Sequence, residues 1–292
     1  MNKEKILKAG QISSEVKKFA RGFIKKDVPL LEIAEKIEEK ITELGGKPAF
    51  PTNLSINNIA AHFTPSHDDE TKAHGLLKID LGVHVDGWIA DTAFSLDLEN
   101  SEENQKLIQA AEDALNNVSK ILKENISTDE IGQTIEETIE AKGFLPIINL
   151  SGHSIEKYEL HSGITIPNIK NARDVALPKG ICAIEPFATT GSGRVHDSKP
   201  SGIYALTDAK NVRSPIAREV LDFIIDEYKT LPFCSRWLVK KFGTKAILAL
   251  KQLEQNENIH HYPQLVEVPD AKVSQAEHTF LIEKDKVIVT TE

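Results

Sequence analysis

Several acidic side chains stand where an uncompensated charge is costly. Asp80 and Asp91 lie in KIDLGVHVDGWIADTA, among the apolar residues Leu77, Ile79, Leu81, Ile89 and Ala93. Glu185 ends the apolar run in ICAIEPFATTGSG, and Glu277 precedes the one in SQAEHTFLIE. His153 and His161 fall in LSGHSIEKYELHSG, bounded by Gly152 and Gly163. Taken singly, each has a plainer reading: half the positions of a strand face solvent, and a lone histidine is usually a satisfied polar residue. Burying an unpaired carboxylate costs several kcal/mol, so acids inside apolar strands otherwise need a cation or an ion-pair partner. Pooled, Asp80, Asp91, His153, Glu185 and Glu277 offer oxygen and nitrogen donors without a thiolate. That mixture suits divalent Mn, Fe, Co or Zn in a two-ion site with bridging carboxylates. It does not suit a structural zinc site, which draws on cysteines at short spacing.

The elements that must position these groups can be read from periodicity and turn signals. Asp86-Gly87 favours a two-residue hairpin turn between strands Leu76 to Val85 and Trp88 to Leu96. Pairing Val85 with Trp88 places Asp80 opposite Ala93 and Asp91 two residues along on the same face. The carboxylates are then diagonal neighbours at roughly 7–8 Å between Cα atoms, unless a bulge changes the parity. Two helices precede the hairpin. The first carries Ile6, Val16, Phe19 and Phe23 among lysines; the second carries Ile33, Ile37, Ile41 and Leu44 as one stripe, entered near Pro29 and ended by Gly45-Gly46. A helix from Asn100-Ser101 to about Asn125 follows, then one with the Ser127/Glu130 capping pattern that stops near Gly143. Short strands are expected at Ile147–Leu150 and Ile181–Phe187. From Ser214 to about residue 258 the pattern is helical, with Pro215 starting a helix and Pro232 breaking it. HYPQLVEVP, AEHTFLIEK and KVIVTT are terminal strands.

Composition limits the setting. The chain has 292 residues, 40% hydrophobic and 27% charged, with a net charge of −9, which is globular and acidic. That balance argues against nucleic acid as the main partner of the whole body. Two cysteines, Cys182 and Cys234, are too few for a disulfide scaffold, and a reducing cytoplasm is expected. No apolar stretch approaches the ~18 residues of a membrane span, and the N-terminus lacks the pattern of a secretory signal. Residues 1–26 nevertheless carry +6, on Lys3, Lys5, Lys8, Lys17, Lys18, Arg21, Lys25 and Lys26 against Glu4 and Glu15. The plain reading is the solvated face of an amphipathic helix; the sharper one is a docking surface for a polyanion.

The order Asp80, Asp91, His153, Glu185, Glu277 resembles the dinuclear site of the methionine aminopeptidases. FPTNLSINNIAAHFTP around His62, KIDLGVHVDGWIADTA, GHSIEKYELHSG, AIEPFATTGSG and AEHTF are similar to that family's strings, over essentially the whole chain. The helical block with LPFCSRWL resembles the insertion of type II enzymes, in their compact archaeal form. The resemblance implies an α+β pita-bread fold, with a curved antiparallel sheet, flanking helices and a winged-helix-like insertion. It implies one catalytic domain over 1–292, interrupted at about 205–268. It also implies two divalent metal ions per subunit (Co, Mn, Fe or Zn), with His153 and Glu185 on one, Asp80 on the other, and Asp91 and Glu277 bridging. A metal-bridging hydroxide would be the nucleophile and Glu185 the proton shuttle. His161 would contact the scissile amide and His62 the substrate backbone beyond it, while Phe50, Ile203 and Tyr262 would line the methionine pocket. The implied activity is removal of the initiator methionine from nascent polypeptides whose second residue is small. A cytoplasmic monomer is expected, without membrane or specific nucleic-acid partners, and with the basic N-terminus docking on ribosomes. Two rivals are an Xaa-Pro peptidase of the same fold and a non-catalytic relative that binds RNA or ribosomes. The first usually has a separate N-terminal domain and the second has lost ligands. From Arg213 to Asn258 the charge balance is only +2, thin for a phosphate footprint, so the insertion is read as a lid on the site wall.

Overall fold

The lysine-rich opening forms helix α1 (Lys3–Phe23), started by Asn2, whose side chain accepts from the Lys5 amide. Pro29 caps α2 (Leu30–Glu43), and its stripe of Ile33, Ile37 and Ile41 is buried as the spacing predicts. Strands β1 (Lys47–Ile56), β2 (Ile59–Ala61), β3 (Leu76–Val85) and β4 (Trp88–Asp97) follow. In this computed structural model, which describes residues 1–171 and 174–292, β1, β3 and β4 form an antiparallel half-sheet in that order. Asp86 and Gly87 both take positive φ, 52° and 83°, as the tight turn requires. The register is the expected one: Val85 pairs with Trp88, Asp80 with Ala93 and Gly82 with Asp91. The apolar faces of α1 and α2 cover this half-sheet through Val16, Ala20, Leu54, Leu81 and Val83.

A second pair of helices, α3 (Glu102–Ile121) and α4 (Thr128–Glu140), begins at the caps Ser101 and Ser127. The first ends at Ile121, short of Asn125, which takes a positive φ of 61° in the turn. Next come β5 (Leu145–Pro146), β6 (Ser151–Ile155), β7 (Thr165–Pro167), β8 (Gly180–Ile184) and β9 (Phe187–Thr189). The strand expected at Ile147–Leu150 is a turn, and the strand lies one step later, at β6. Its Gly152 is required there, because a Cβ would stand 2.4 Å from the Ala183 carbonyl oxygen of the neighbouring β8. The run Ile181–Phe187 is broken at Glu185-Pro186, where proline has no N–H for the ladder.

The chain continues through β10 (His196–Leu206), α5 (Pro215–Glu227), β11 (Phe233–Cys234), α6 (Ser235–Phe242) and α7 (Lys245–Gln255). It closes with β12 (Ile259–Val266), β13 (Val273–Gln275), β14 (His278–Glu283) and β15 (Lys286–Val289). The second half-sheet runs β15-β14-β8-β6-β7, and α3 and α4 cover it through Leu107, Leu115, Ile131, Ile135, Ile184 and Phe280. A wall sheet runs β11-β10-β12-β2, and a small one runs β13-β9-β5. The result is an α+β architecture whose antiparallel strands curve around one cleft, with helices outside.

Helices α5 to α7 close around their own core of Val220, Leu221, Ile224, Leu238, Leu250 and Leu253. They are pinned to the body by Arg236, whose guanidinium meets the buried Glu38 carboxylate at 2.6 and 2.9 Å. Four of the eight basic residues of the N-terminal segment meet acids on the body: Lys3 with Glu283, Lys5 with Asp86, Lys26 with Glu99 and Arg21 with Glu112. Lys17 turns inward, its Nζ donating to the Thr291 carbonyl at 2.8 Å. Among the described residues, no helix is long and apolar enough to cross a membrane.

Candidate metal centre

Where the two half-sheets meet, the backbone ladder is replaced by side-chain hydroxyls. Thr279 Oγ1 donates to the Asp91 carbonyl at 2.8 Å and accepts from the Asp91 amide at 2.7 Å. Ser95 Oγ makes the equivalent pair with Gln275, donating to its carbonyl at 2.8 Å and accepting from its amide at 2.9 Å. Between them Thr92 Oγ1 donates to the Glu277 carbonyl at 2.8 Å, and the Glu277 amide donates to Ala93 at 3.0 Å. The seam fixes Asp91 and Glu277 opposite each other on rigid backbone. Threonine and serine are needed because only a hydroxyl donates and accepts at one atom.

Around the seam lies a cleft of about 410 Å³. Asp80 enters from β3, Asp91 from β4, His153 from β6, Glu185 from the end of β8, and Glu277 from the residue before β14. One ligand atom from each of Asp91, His153 and Glu277 lies within 4.8 Å of the other two. His153 Nε2 is 3.6 Å from Asp91 Oδ2. Asp80 and Glu185 keep a partial opening to the cleft, whereas Asp91, His153 and Glu277 are buried. The carboxylates of Asp80 and Glu185 are joined by one donor: the Gln275 amide nitrogen lies 3.3 Å from Asp80 Oδ2 and 3.4 Å from Glu185 Oε2.

This arrangement is electrostatically unfavourable by itself. Burial lifts Asp80 to about 7. Burial and then the charge of the neighbouring carboxylates hold Asp91, Glu185 and Glu277 well above the usual carboxylate range. His153 is pushed down to about 3, first by burial and then by His161. With His153 neutral, its contact with Asp91 is not an ion pair. Among the described residues Asp80 Oδ1, Asp91 Oδ1, Glu277 Oε2 and His153 Nδ1 have no hydrogen-bond partner. Buried, partnerless acceptors are rare in folded proteins. A divalent cation among the carboxylates, within reach of His153 Nε2, supplies the acids' missing partner and returns them to their ionised form. The donor set therefore fits such an ion.

The remaining residues singled out in the sequence also line this cleft. His62 follows β2 with a φ of 61°; its Nδ1 is 3.3 Å from the Pro263 carbonyl oxygen, and burial lowers it to about 4. The His161 ring stands at the exposed rim, its centroid 4.3 Å from that of His153. Phe50 from β1, Ile203 from β10 and Tyr262 from β12 form the apolar wall, with the Tyr262 ring 5.6 Å from that of His62. Gly82 makes room for Phe50, since a Cβ there would lie 2.3 Å from its ring. Sequence reasoning missed Gln275, the hydroxyl seam, and the wall residues Asn53, Leu160, Phe187 and Leu265. Gln275 stands two residues before Glu277, the one signal that could have drawn attention to it.

The model of metallopeptidase family M24 matches residues 4–220. A methionine aminopeptidase of Pyrococcus abyssi is 48% identical over 297 residues, covering 100% of both chains. The solved methionine aminopeptidase of Thermotoga maritima superposes with a TM-score of 0.71 at 21% identity, covering 100% of this chain and 98% of that one. A thermophilic Arx1 superposes with a TM-score of 0.86 at 17% identity, covering 99% and 91%. At these identities the two structures establish the fold, which is the pita-bread fold the sequence strings implied. With a family match over residues 4–220 and a relative this similar along its whole length, the chain belongs to metallopeptidase family M24.

Proposed function

We infer that this hydrolase is a methionine aminopeptidase of type II, in the archaeal form, acting as a cytoplasmic monomer on nascent polypeptides whose second residue is small. The observation that carries the reading is the set of partnerless buried donors on Asp80, Asp91, His153 and Glu277, with Glu185 beside them, beneath a wall of Phe50, Ile203 and Tyr262. His153 and Glu185 would hold one divalent ion and Asp80 a second, with Asp91 and Glu277 touching both. When bound, such a pair makes a water acidic and polarises the scissile carbonyl.

The chain's own residues supply the rest. Glu185, partly open to the cleft, takes a proton from the attacking water and returns it to the leaving amine. His161 at the rim donates to the carbonyl oxygen as charge develops there. His62 donates its Nδ1 proton to the Pro263 carbonyl, which leaves Nε2 as an acceptor for a peptide N–H beyond the scissile bond. The apolar wall accepts the unbranched side chain, although size alone discriminates by only ~1–3 kcal/mol per methylene. The helical insertion at about 205–268 bears on that wall because Cys234 of β11 pairs with Ile203.

Metal-depleted protein given back Mn, Co, Fe or Zn should release methionine from Met-Ala-Ser, and not from Met-Glu-Ser or act on Leu-Ala-Ser. Preference for an Xaa-Pro peptide would move the assignment to a sister enzyme, and silence with every metal would point to a binding protein. Ribosome docking by the basic segment of residues 1–26 is tested by neutralising Lys17, Lys18, Arg21, Lys25 and Lys26, which should weaken salt-sensitive co-sedimentation; unchanged binding would end that reading.

A further inference from the structure

Gln275 is among the least exposed polar residues described, at 1%, and the signal for it in the sequence is its place two residues before Glu277. Its backbone is held on both sides by the Ser95 hydroxyl, so the side chain leaves a fixed point. From there a single amide nitrogen reaches Asp80 Oδ2 at 3.3 Å and Glu185 Oε2 at 3.4 Å. The nitrogen can only donate, and it carries two hydrogens, one for each carboxylate. This fixes the amide orientation, because the alternative would set an oxygen against two acids.

The two acids it joins come from different half-sheets, β3 and the end of β8. The opposite group, Asp91, His153 and Glu277, is placed by the hydroxyl seam and by β6. Among the described residues the Gln275 amide is the donor that reaches both Asp80 Oδ2 and Glu185 Oε2, and it leaves Asp80 Oδ1 without a partner. We propose that Gln275 is a positioning residue that couples the two ion sites, by holding one carboxylate of each in its ligating orientation. The proposal rests on the ligand assignment given under Proposed function, in which Asp80 belongs to one ion and Glu185 to the other. It adds that the ion held through Asp80, which lacks a histidine ligand, depends on Gln275 more than its neighbour does.

The test is a cobalt(II) titration of metal-depleted protein, followed by calorimetry and by the visible absorption of the bound ion. Wild type is compared with Gln275→Met, which keeps the length and removes the donor, and Gln275→Glu, which keeps the shape and replaces the donor with an acceptor. Loss of a group that orients ligands typically weakens metal binding by about 10–100-fold. In both variants the weaker-binding cobalt should lose at least about tenfold in affinity. The tighter one should change less, and the absorption band of the two-ion form should shift. The metal-free melting temperature of Gln275→Met should stay close to that of wild type, since a structural defect would lower it. Both affinities within twofold of wild type and an unchanged spectrum would show that Gln275 only fills space. Wild type that binds no cobalt, or binds it unchanged in Asp80→Ala, would instead defeat the ligand assignment. If Gln275→Met does not fold, Gln275→Glu carries the same comparison.

Discussion

Removing the Arg236 guanidinium should destabilise the protein more than any loss of surface charge, and the structure indicates by how much. Arg236 is 3% and Glu38 8% exposed. Their two-pronged contact at 2.6 and 2.9 Å is extended by Arg236 Nε to the Pro65 carbonyl at 3.1 Å and Nη2 to Thr64 Oγ1 at 3.3 Å. Breaking a buried pair by deleting one partner typically costs about 3–5 kcal/mol, because the other charge is left without compensation. In Arg236→Met the Glu38 carboxylate still accepts from Trp237 Nε1 at 2.8 Å and from the Thr52 amide at 3.2 Å. The cost therefore belongs at the low end, ~3 kcal/mol, which in a chain of this size lowers the melting temperature by roughly 6–12 °C. Replacing both charges, in Glu38→Gln/Arg236→Met, leaves no uncompensated charge while the amide oxygen still accepts from Trp237 Nε1 and the Thr52 amide, and should recover at least ~1 kcal/mol of that loss. The damage should also reach the cleft, because Arg236 follows β11, where Cys234 pairs with Ile203 on the wall. KM for a methionyl peptide should rise while kcat changes little. Urea and thermal unfolding of the two single variants and the double variant, with steady-state kinetics, provide the measurement. A loss below about 1 kcal/mol for Arg236→Met, or a double variant no better than the single, would refute the reasoning.

Further outcomes follow from the same structure. In metal-depleted protein burial holds the four site carboxyls above the usual carboxylate range, Asp80 at about 7, while the unfolded chain releases those protons near pH 4. The native state then binds the excess protons, so stability falls as pH rises through the native values, by about 1.4 kcal/mol per pH unit for each excess proton. The buried histidines work in the opposite sense, adding stability as pH rises to about 6.5, from about 4 for His62 and His84 and from about 3 for His153 and His278. Differential scanning calorimetry between pH 6.5 and 8.5 should isolate the carboxylates, with a melting temperature that falls without metal and flattens with it. Thr279→Val removes the hydroxyl that serves both the Asp91 amide and its carbonyl, and should cost about 1–3 kcal/mol and most of kcat, whereas Thr279→Ser retains both; equal behaviour of the two would show the hydroxyl to be idle. Gly87→Ala puts a Cβ 2.4 Å from the Tyr158 ring at a φ of 83°, and should destabilise by at least ~1 kcal/mol. Because the Tyr158 amide donates to Gly87, the same variant should disturb the loop that carries His161 and lower kcat; unchanged kinetics would uncouple hairpin tip and loop.

The hairpin could be read residue by residue because a two-residue turn fixes the register of everything after it. Asp80 opposite Ala93 follows from Asp86-Gly87 alone. The helix stripes and caps were equally local, as Ser101, Ser127 and Ser214 show by accepting from the amides they precede. The β6 strand was read too early because Ser151 and Gly152 are poor strand formers. They pair there for a tertiary reason, the close approach of β8. The Lys17 side chain looked like part of a solvated face, yet it turns toward the last residues of the chain, a contact no local pattern carries. The hydroxyl seam and Gln275 were illegible for the same reason. Ser95 and Gln275 are 180 residues apart, and only the assembled fold, which sets β13 beside β4, makes one the partner of the other. The cleft's residue types were visible in the strings, but their convergence required the fold.

Asp80, Asp91, His153, Glu185 and Glu277 are proposed to hold two ions. A crystal of the metal-depleted protein soaked in cobalt, with diffraction recorded above and below the cobalt edge, tests it directly. Two anomalous peaks should stand in the cleft, one reached by His153 and Glu185 and the other by Asp80, with Asp91 and Glu277 touching both. A single peak beside His153, or peaks only elsewhere on the surface, would contradict it.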